Sequence, residues 1–388
     1  MPTYVKRILG LAITVLVLIG ANAFMGREGL FGFGLPFYYT EILNLTGISI
    51  ILAVSLNLIT GFTGQFSIGH AGFMAVGAYS SVYLTVYYTQ NLEEWLTSVA
   101  GAAIAQSLVF LSVIVFGALV AALAGLVVGI PSLRLRGDYL AIVTLGFAEI
   151  IRIIILNIDR VGGATGFRGR VPPWDGRLII PQYANFIWIG GFAVITIVVV
   201  YNIVHSDIGR ALISIREDEL AAEAMGINST RYKVLAFVIS SSFAGIAGVL
   251  FGHFRQFLHT NDFQFIRSIE IIIMLVLGGM GSITGSVLGA IVITILPELL
   301  RKLPAFYIPI INLRLDLYGY RLVIYSLLLI LIMLTRPQGV MGSKEFGLPW
   351  LKRAQRRPEG DKPVGKKGVP IAQEGSSSLE QAKKIDNK

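Results

Sequence analysis

Long runs without charge, or nearly so, set the rhythm of this chain, and short polar or basic stretches separate them. They fall at about Ile8–Phe24, Ile42–Phe62, Ala71–Tyr88, Ala102–Ile130, Tyr139–Ile158, Tyr183–Val204, Val234–Gly252, Ser268–Leu300 and Tyr318–Leu334. Continuous runs of this kind predict helices that cross a bilayer, because about 20 apolar residues in helical form span the hydrocarbon. Outer-membrane strands are shorter and alternate. The fold class read from the pattern is an all-α integral membrane protein of about 8–10 transmembrane helices.

Basic residues choose an orientation. Lys6 and Arg7 flank the first run, Arg134 and Arg136 follow the fourth, and Arg210, Arg216, Arg231 and Lys233 lie between the sixth and seventh. The tail after Leu334 carries twelve Lys/Arg against six Asp/Glu. Setting all four groups in the cytoplasm gives a consistent up-and-down path. Glu93 and Glu94 then lie outside, as does the segment 159–182, whose four Arg against two Asp fit least well. Residues 1–335 read as the membrane domain, with a cytoplasmic loop at 205–233, and 336–388 as a basic disordered tail.

Parity adds one expectation. From the 205–233 loop to the tail the number of crossings must be even, so Ser268–Leu300 has to be broken. Glycine supplies the break near 278–285, at Gly278, Gly279, Gly281 and Gly285, because glycine is a poor helix interior. A re-entrant pair or two short helices would result, and irregular backbone at membrane depth is tolerated only inside protein or along a cavity. A second glycine-rich stretch, Gly61–Gly72, loosely echoes Gly278–Gly289. Paired interruptions of this kind point to a transport path at a repeat interface. The candidate path residues are therefore Asn57, Gln65, Ser67, Gly69, His70, Gly278, Gly279, Gly281, Ser282 and Thr284. For His70, capping or packing stands beside lining the path.

Composition agrees with the bilayer. Of 388 residues, 54% are hydrophobic and 14% charged, where soluble domains carry about 25% charged residues. The absence of cysteine excludes disulfide and thiolate chemistry. Four scattered histidines, His70, His205, His253 and His259, give no metal centre. The net charge of +9 reports orientation rather than nucleic-acid binding. Lys6-Arg7, an apolar run and Ala21-Asn22-Ala23 resemble a signal peptide, but an uncleaved first span is the favoured reading. Gly360–Lys367 imitates a phosphate-binding loop, yet Lys367 replaces the hydroxyl residue and no strand precedes it. Pairs such as Gly125/Gly129 and Gly248/Gly252 read as sites of close helix packing. Glu149 and Arg152 share a helical face and can neutralise each other, with gating or assembly as the sharper alternative. Glu270 and Glu298 flank the broken run.

The cytoplasmic loop is the most informative segment. Strong helix formers run from Glu217 to Met225, with acidic residues at the start and Gly226 as a stop. One short helix is expected, with Ala221, Ala222 and Ala224 as a small-residue knob for a partner protein. Ala221-Ala222 followed by Gly226 resembles the E-A-A-x-x-x-G coupling loop of ABC importer permeases, with Leu220 in the glutamate position and Glu219 just before it. The string from Ile215 to Asn228 looks like branched-chain amino-acid permeases of the LivM type. So do Asn57–Phe73, Leu133–Ala141, Val276–Gly285 and Thr335–Gly339. The resemblance covers about residues 40–342.

It implies a permease subunit in the bacterial inner membrane, multi-pass, with its C-terminus in the cytoplasm. The coupling residues would be Arg216, Glu217, Asp218, Glu219, Ala221, Ala222 and Gly226. The implied partners are a homologous second permease, two ATPase subunits that use ATP and Mg, and an extracytoplasmic binding protein, with lipid around them and no nucleic acid. The chain itself would bind no cofactor or metal and catalyse no covalent chemistry. A urea or other small-solute importer of the same architecture is the alternative. A self-sufficient secondary transporter would need mid-membrane relay carboxylates, which are scarce here.

Overall fold

The computed structural model describes residues 36–168 apart from Arg134 and Arg136, residues 180–301, and short pieces between 306 and 342. The run Ile8–Phe24, the Ala21–Ala23 site, most of Tyr318–Leu334 and the tail from 343 lie outside the described residues.

Helices carry the architecture. In chain order they are α1 (Phe37–Asn57), α2 (His70–Tyr88), α3 (Gln90–Ala100), α4 (Ala102–Ser132), α5 (Asp138–Leu156) and α6 (Phe186–Val204). There follow α7 (Asp207–Glu217), α8 (Glu219–Ala224), α9 (Ser229–Arg255), α10 (Phe265–Gly278) and α11 (Ile283–Arg301). A short antiparallel pair, β1 (Phe306–Ile308) and β2 (Leu313–Leu315), sets Phe306 opposite Leu315. Among the described residues six helices are long and apolar enough to cross a membrane: α1 with its extension to Phe62, α4, α5 from Tyr139, α6, α9 and α11.

The expected interruption of Ser268–Leu300 is present. α10 stops at Gly278 and α11 starts at Ile283. A Cβ on Gly278 would stand 2.0 Å from the Gly285 carbonyl oxygen, and one on Gly289 would stand 1.9 Å from that of Met274. These contacts step in opposite senses along the two helices, so α10 and α11 form an antiparallel hairpin closed by glycine.

Helix α9 runs through the middle. Asn228 starts it by accepting from the Arg231 N–H at 3.0 Å. Gln256, left-handed at φ 54°, ends it. Small residues let α2 and α4 close upon it: a Cβ on Gly77 would meet the Gly245 carbonyl oxygen at 2.3 Å, and one on Gly125 would meet Ser241 Oγ at 2.0 Å. The glycine pairs of α4 and α9 thus face neighbouring helices of the same chain. Without water between helices, packing and hydrogen bonds of this kind drive association. Thr85 Oγ1 meets His253 Nε2 at 3.0 Å within that contact.

Candidate translocation and coupling site

The first glycine break begins where α1 loosens into a π turn, Leu58–Phe62. Such turns are frequent at functional positions. Thr63 Oγ1 donates to the Leu58 carbonyl at 2.7 Å, and Gly64 takes φ 72°, a conformation that suits glycine. The chain then runs without regular structure to His70. Gly69 and Gly72 seat the start of α2 on α5, where a Cβ would stand 2.7 Å from the Thr144 carbonyl oxygen and 2.8 Å from Ala148 Cα respectively.

The two breaks meet in space. Asn57, fully buried at the end of α1, donates from Nδ2 to the Ser282 carbonyl at 3.0 Å. Its Oδ1 accepts from the Gly281 N–H at 2.9 Å. One side-chain amide thereby satisfies two backbone groups of the second break, which would otherwise be costly to bury. A Cβ on Gly61 would lie 2.5 Å from Gly281 N, so the backbones themselves are close. Gly279 and Gly281 have φ 117° and 81°. Ser282 Oγ accepts from the Gly285 N–H at 3.0 Å and opens α11, and it lies 3.2 Å from Thr284 Oγ1. On the other side, the Val340 and Met341 N–H groups donate to the Leu277 and Gly278 carbonyls at 2.8 and 3.1 Å.

Other predicted path residues stand apart from this knot. His70 is buried, with Nε2 2.9 Å from Ser55 Oγ, and the next N–H, of Ala71, donates to Ser268 Oγ at 3.1 Å. Ser67 is buried and Gln65 half-buried in the linker before it. Glu149 and Arg152 pair at 2.7 Å, and Glu149 also accepts from the Phe265 N–H at the start of α10.

The 205–233 loop approaches the knot directly. Arg216, in the last turn of α7, donates from Nη1 to the Gly61 carbonyl at 3.1 Å. A Cβ on Gly281 would lie 3.3 Å from the same nitrogen, and one on Gly64 would lie 2.8 Å from Arg216 Cγ. The guanidinium also holds Glu217 at 2.5 Å. Arg216 thus touches both breaks, a convergence that no spacing in the sequence announces.

The short helix expected over Glu217–Met225 is present as α8 but starts at Glu219, because Glu217 still belongs to α7. Asp218 is extended, at φ −156°, and its carboxylate accepts from the Ala221 N–H at 3.0 Å. An acidic residue read as dipole complement is therefore the cap that separates α7 from α8. At the far end Ile227 N–H donates to the Ala222 carbonyl and Gly226 N–H to that of Glu223, at 3.0 and 2.9 Å. With Gly226 at φ 86° this is a Schellman stop. The expected knob also changes composition. Ala222 is buried, whereas Leu220, Ala221, Ala224 and Met225 are exposed. The helix is held from behind by Lys233, 2% exposed, whose Nζ lies 2.7 Å from Glu219 Oε1. Ser229 donates to Glu223 beside it. Sequence reading used Lys233 only as an orienting charge. Its place as the anchor of α8 leaves no periodic trace, because its partner lies across a turn.

Among the described residues, six apolar spans, glycine-broken helices that meet inside the bundle and a polar loop braced against their junction define a multi-pass membrane protein. Residues 38–334 match the family described as branched-chain amino acid transport system / permease component, and the chain belongs to that family. It is 32% identical over 332 residues to the high-affinity branched-chain amino acid transport system permease protein LivM of Salmonella typhimurium, covering 78% of this chain and 69% of that protein. The Escherichia coli K12 protein of the same name is 32% identical over 354 residues, with 85% and 74% covered. A LivH permease of Escherichia coli K12 is 30% identical over 182 residues, or 44% of this chain and 54% of its own. No solved structure matches.

Proposed function

We propose that the chain is one of two homologous permease subunits of an ATP-driven importer of branched-chain amino acids in a bacterial cytoplasmic membrane. The similarity to proteins named LivM and LivH supports both the substrate class and the second permease. Two ATPase subunits would bind ATP and Mg, and a binding protein would deliver substrate on the opposite face. The tail would then lie in the cytoplasm with α8.

The observation that carries this reading is the placement of α8 relative to the glycine knot. Its outer surface, Leu220, Ala221, Ala224 and Met225, is free to seat on a partner, while the loop that bears it reaches Gly61 through Arg216. When the ATPases close, movement of α8 pulls on α7, and Arg216 passes it to the junction of α1, α10 and α11. The Asn57 hydrogen bonds to Gly281 and Ser282 are the contacts that this motion would break and remake.

The test is purification of the tagged protein in mild detergent, with identification of its companions and reconstitution in liposomes. Recovery of a second permease and ATPase chains, with hydrolysis stimulated by leucine-loaded binding protein and lost when Ala221–Gly226 is altered, is the expected result. A lone chain that transports without ATP would overturn it.

A further inference from the structure

At the end of the bundle opposite α8, a cavity of about 520 Å³ opens between the first half of α1, the end of α9, the start of α10 and the last turns of α11. The volume falls within the range of about 300–1,000 Å³ typical of small-molecule sites. Its wall is divided by chemistry. One part carries charges of both signs, Arg255 and Arg267 with Asp262, Glu270 and Glu298, and the other is formed by Leu45, Phe251, Met274 and Ile293. The charges are pre-paired and part-exposed: Arg267 with Glu270 at 2.8 Å, and Arg255 with Glu41 at 2.8 Å. Thr294 Oγ1, on a residue of the same wall, is buried and meets no hydrogen-bond partner among the described residues. The floor includes Ser49 and Met274. Asn57 lies eight residues beyond Ser49 along α1, about 12 Å further toward α8.

A free inorganic anion would meet the carboxylates of this wall, and an uncharged solute would leave its ion pairs unused. A zwitterion with an aliphatic side chain matches both halves. Its carboxylate can take the place of Glu270 or Glu41 on an arginine, and its ammonium can take the released glutamate, so one ion pair within the protein becomes two with the ligand and no charge is left unpaired. The branched side chain then covers the apolar wall. We infer that this cavity is an amino-acid binding vestibule of the permease itself, above a gate formed by the Asn57 knot. The inference rests on the importer reading and assigns its substrate a site on this chain.

The test uses the complete importer reconstituted in nanodiscs without binding protein, with radiolabelled leucine as the probe. Leucine is expected to bind and to be displaced by valine, but not by leucinol, which lacks the carboxylate, or by 4-methylpentanoate, which lacks the ammonium. Arg267→Gln and Glu270→Gln should each weaken binding by about tenfold, corresponding to ~1.4 kcal/mol. The exchanged pair Arg267→Glu with Glu270→Arg keeps the ion pair and the assembled complex, yet should remain equally weak. Recovery of affinity in the exchanged pair, or displacement by leucinol as strong as by valine, overturns the vestibule. ATP hydrolysis stimulated by loaded binding protein separates the two readings. If it persists while leucine fails to bind the permease, only the vestibule falls. If it is absent, the importer reading falls and takes the vestibule with it.

Discussion

Gly61 and Arg216 at the knot and Gly226 at the end of α8 carry different parts of the work, and each fails differently when changed. A methyl on Gly61 would stand 1.8 Å from Asn57 Oδ1 and 2.5 Å from Gly281 N. Both neighbours are fixed by hydrogen bonds, so Gly61→Ala should lower the stability of the purified protein by about 1–3 kcal/mol, read as a drop in Tm, and reduce uptake. An unchanged Tm would mean that the two breaks do not touch. Arg216→Ala removes the donor to the Gly61 carbonyl, at a cost of about 1–3 kcal/mol for an unsatisfied buried group. ATP hydrolysis should continue while leucine uptake collapses. Parallel loss of both activities would instead mark Arg216 as part of the ATPase contact. Gly226 differs again, because nothing lies within 4 Å of an added Cβ but φ is 86°. Bulk is therefore not the problem. Gly226→Asn, which tolerates the left-handed region, should retain uptake, and Gly226→Val should lose it. Equal loss in both variants would place a partner surface against this residue.

Among the elements, α8 is too short to persist alone, since helix nucleation is unfavourable and six residues return few bonds. Its order depends on the Asp218 cap, the Gly226 stop and the pair between buried Lys233 and half-buried Glu219. Lys233→Met leaves Glu219, 23% exposed, within reach of water, so the cost falls below the ~3–5 kcal/mol of breaking a fully buried pair, and the substitution should free α8 without unfolding the bundle. Hydrogen exchange restricted to residues 219–226 would reveal this, and protection equal to that of the natural protein would show that the anchor is dispensable. The long helices were legible because a bilayer imposes continuous apolar runs, and the α10–α11 break was legible because parity demanded it and glycine marked it. α8 was legible as helix formers ending in glycine. Its separation from α7 was not, because an aspartate at a helix start serves equally as dipole complement and as cap. The inward turn of Ala222 follows from the angle at which α8 docks on α9, which local sequence does not specify.

For the whole molecule, the two glycine breaks were legible as paired interruptions along one transport path, but the contact that joins them was not. More than two hundred residues separate Asn57 from Gly281, and a side-chain amide bonded to a backbone turn has no period to detect. Their meeting gives the bundle an axis: charged cavity at one end, the Asn57 knot below it, then Arg216, then α8. That order makes the orientation testable, because the proposed direction of import requires the cavity to face outward and α8 to face the ATPases. The chain contains no cysteine, so single reporters can be introduced without clearing a background. Asn261→Cys, exposed at the rim of the cavity, and Met225→Cys, exposed on α8, are placed at opposite ends. In intact right-side-out vesicles a membrane-impermeant maleimide should label Asn261→Cys at once and Met225→Cys only after permeabilisation. Reversal of that pattern would turn the molecule over in the membrane. The cavity would then face the cytoplasm and α8 the exterior, where no ATP is available, and a coupling role for Arg216 would have no physical basis.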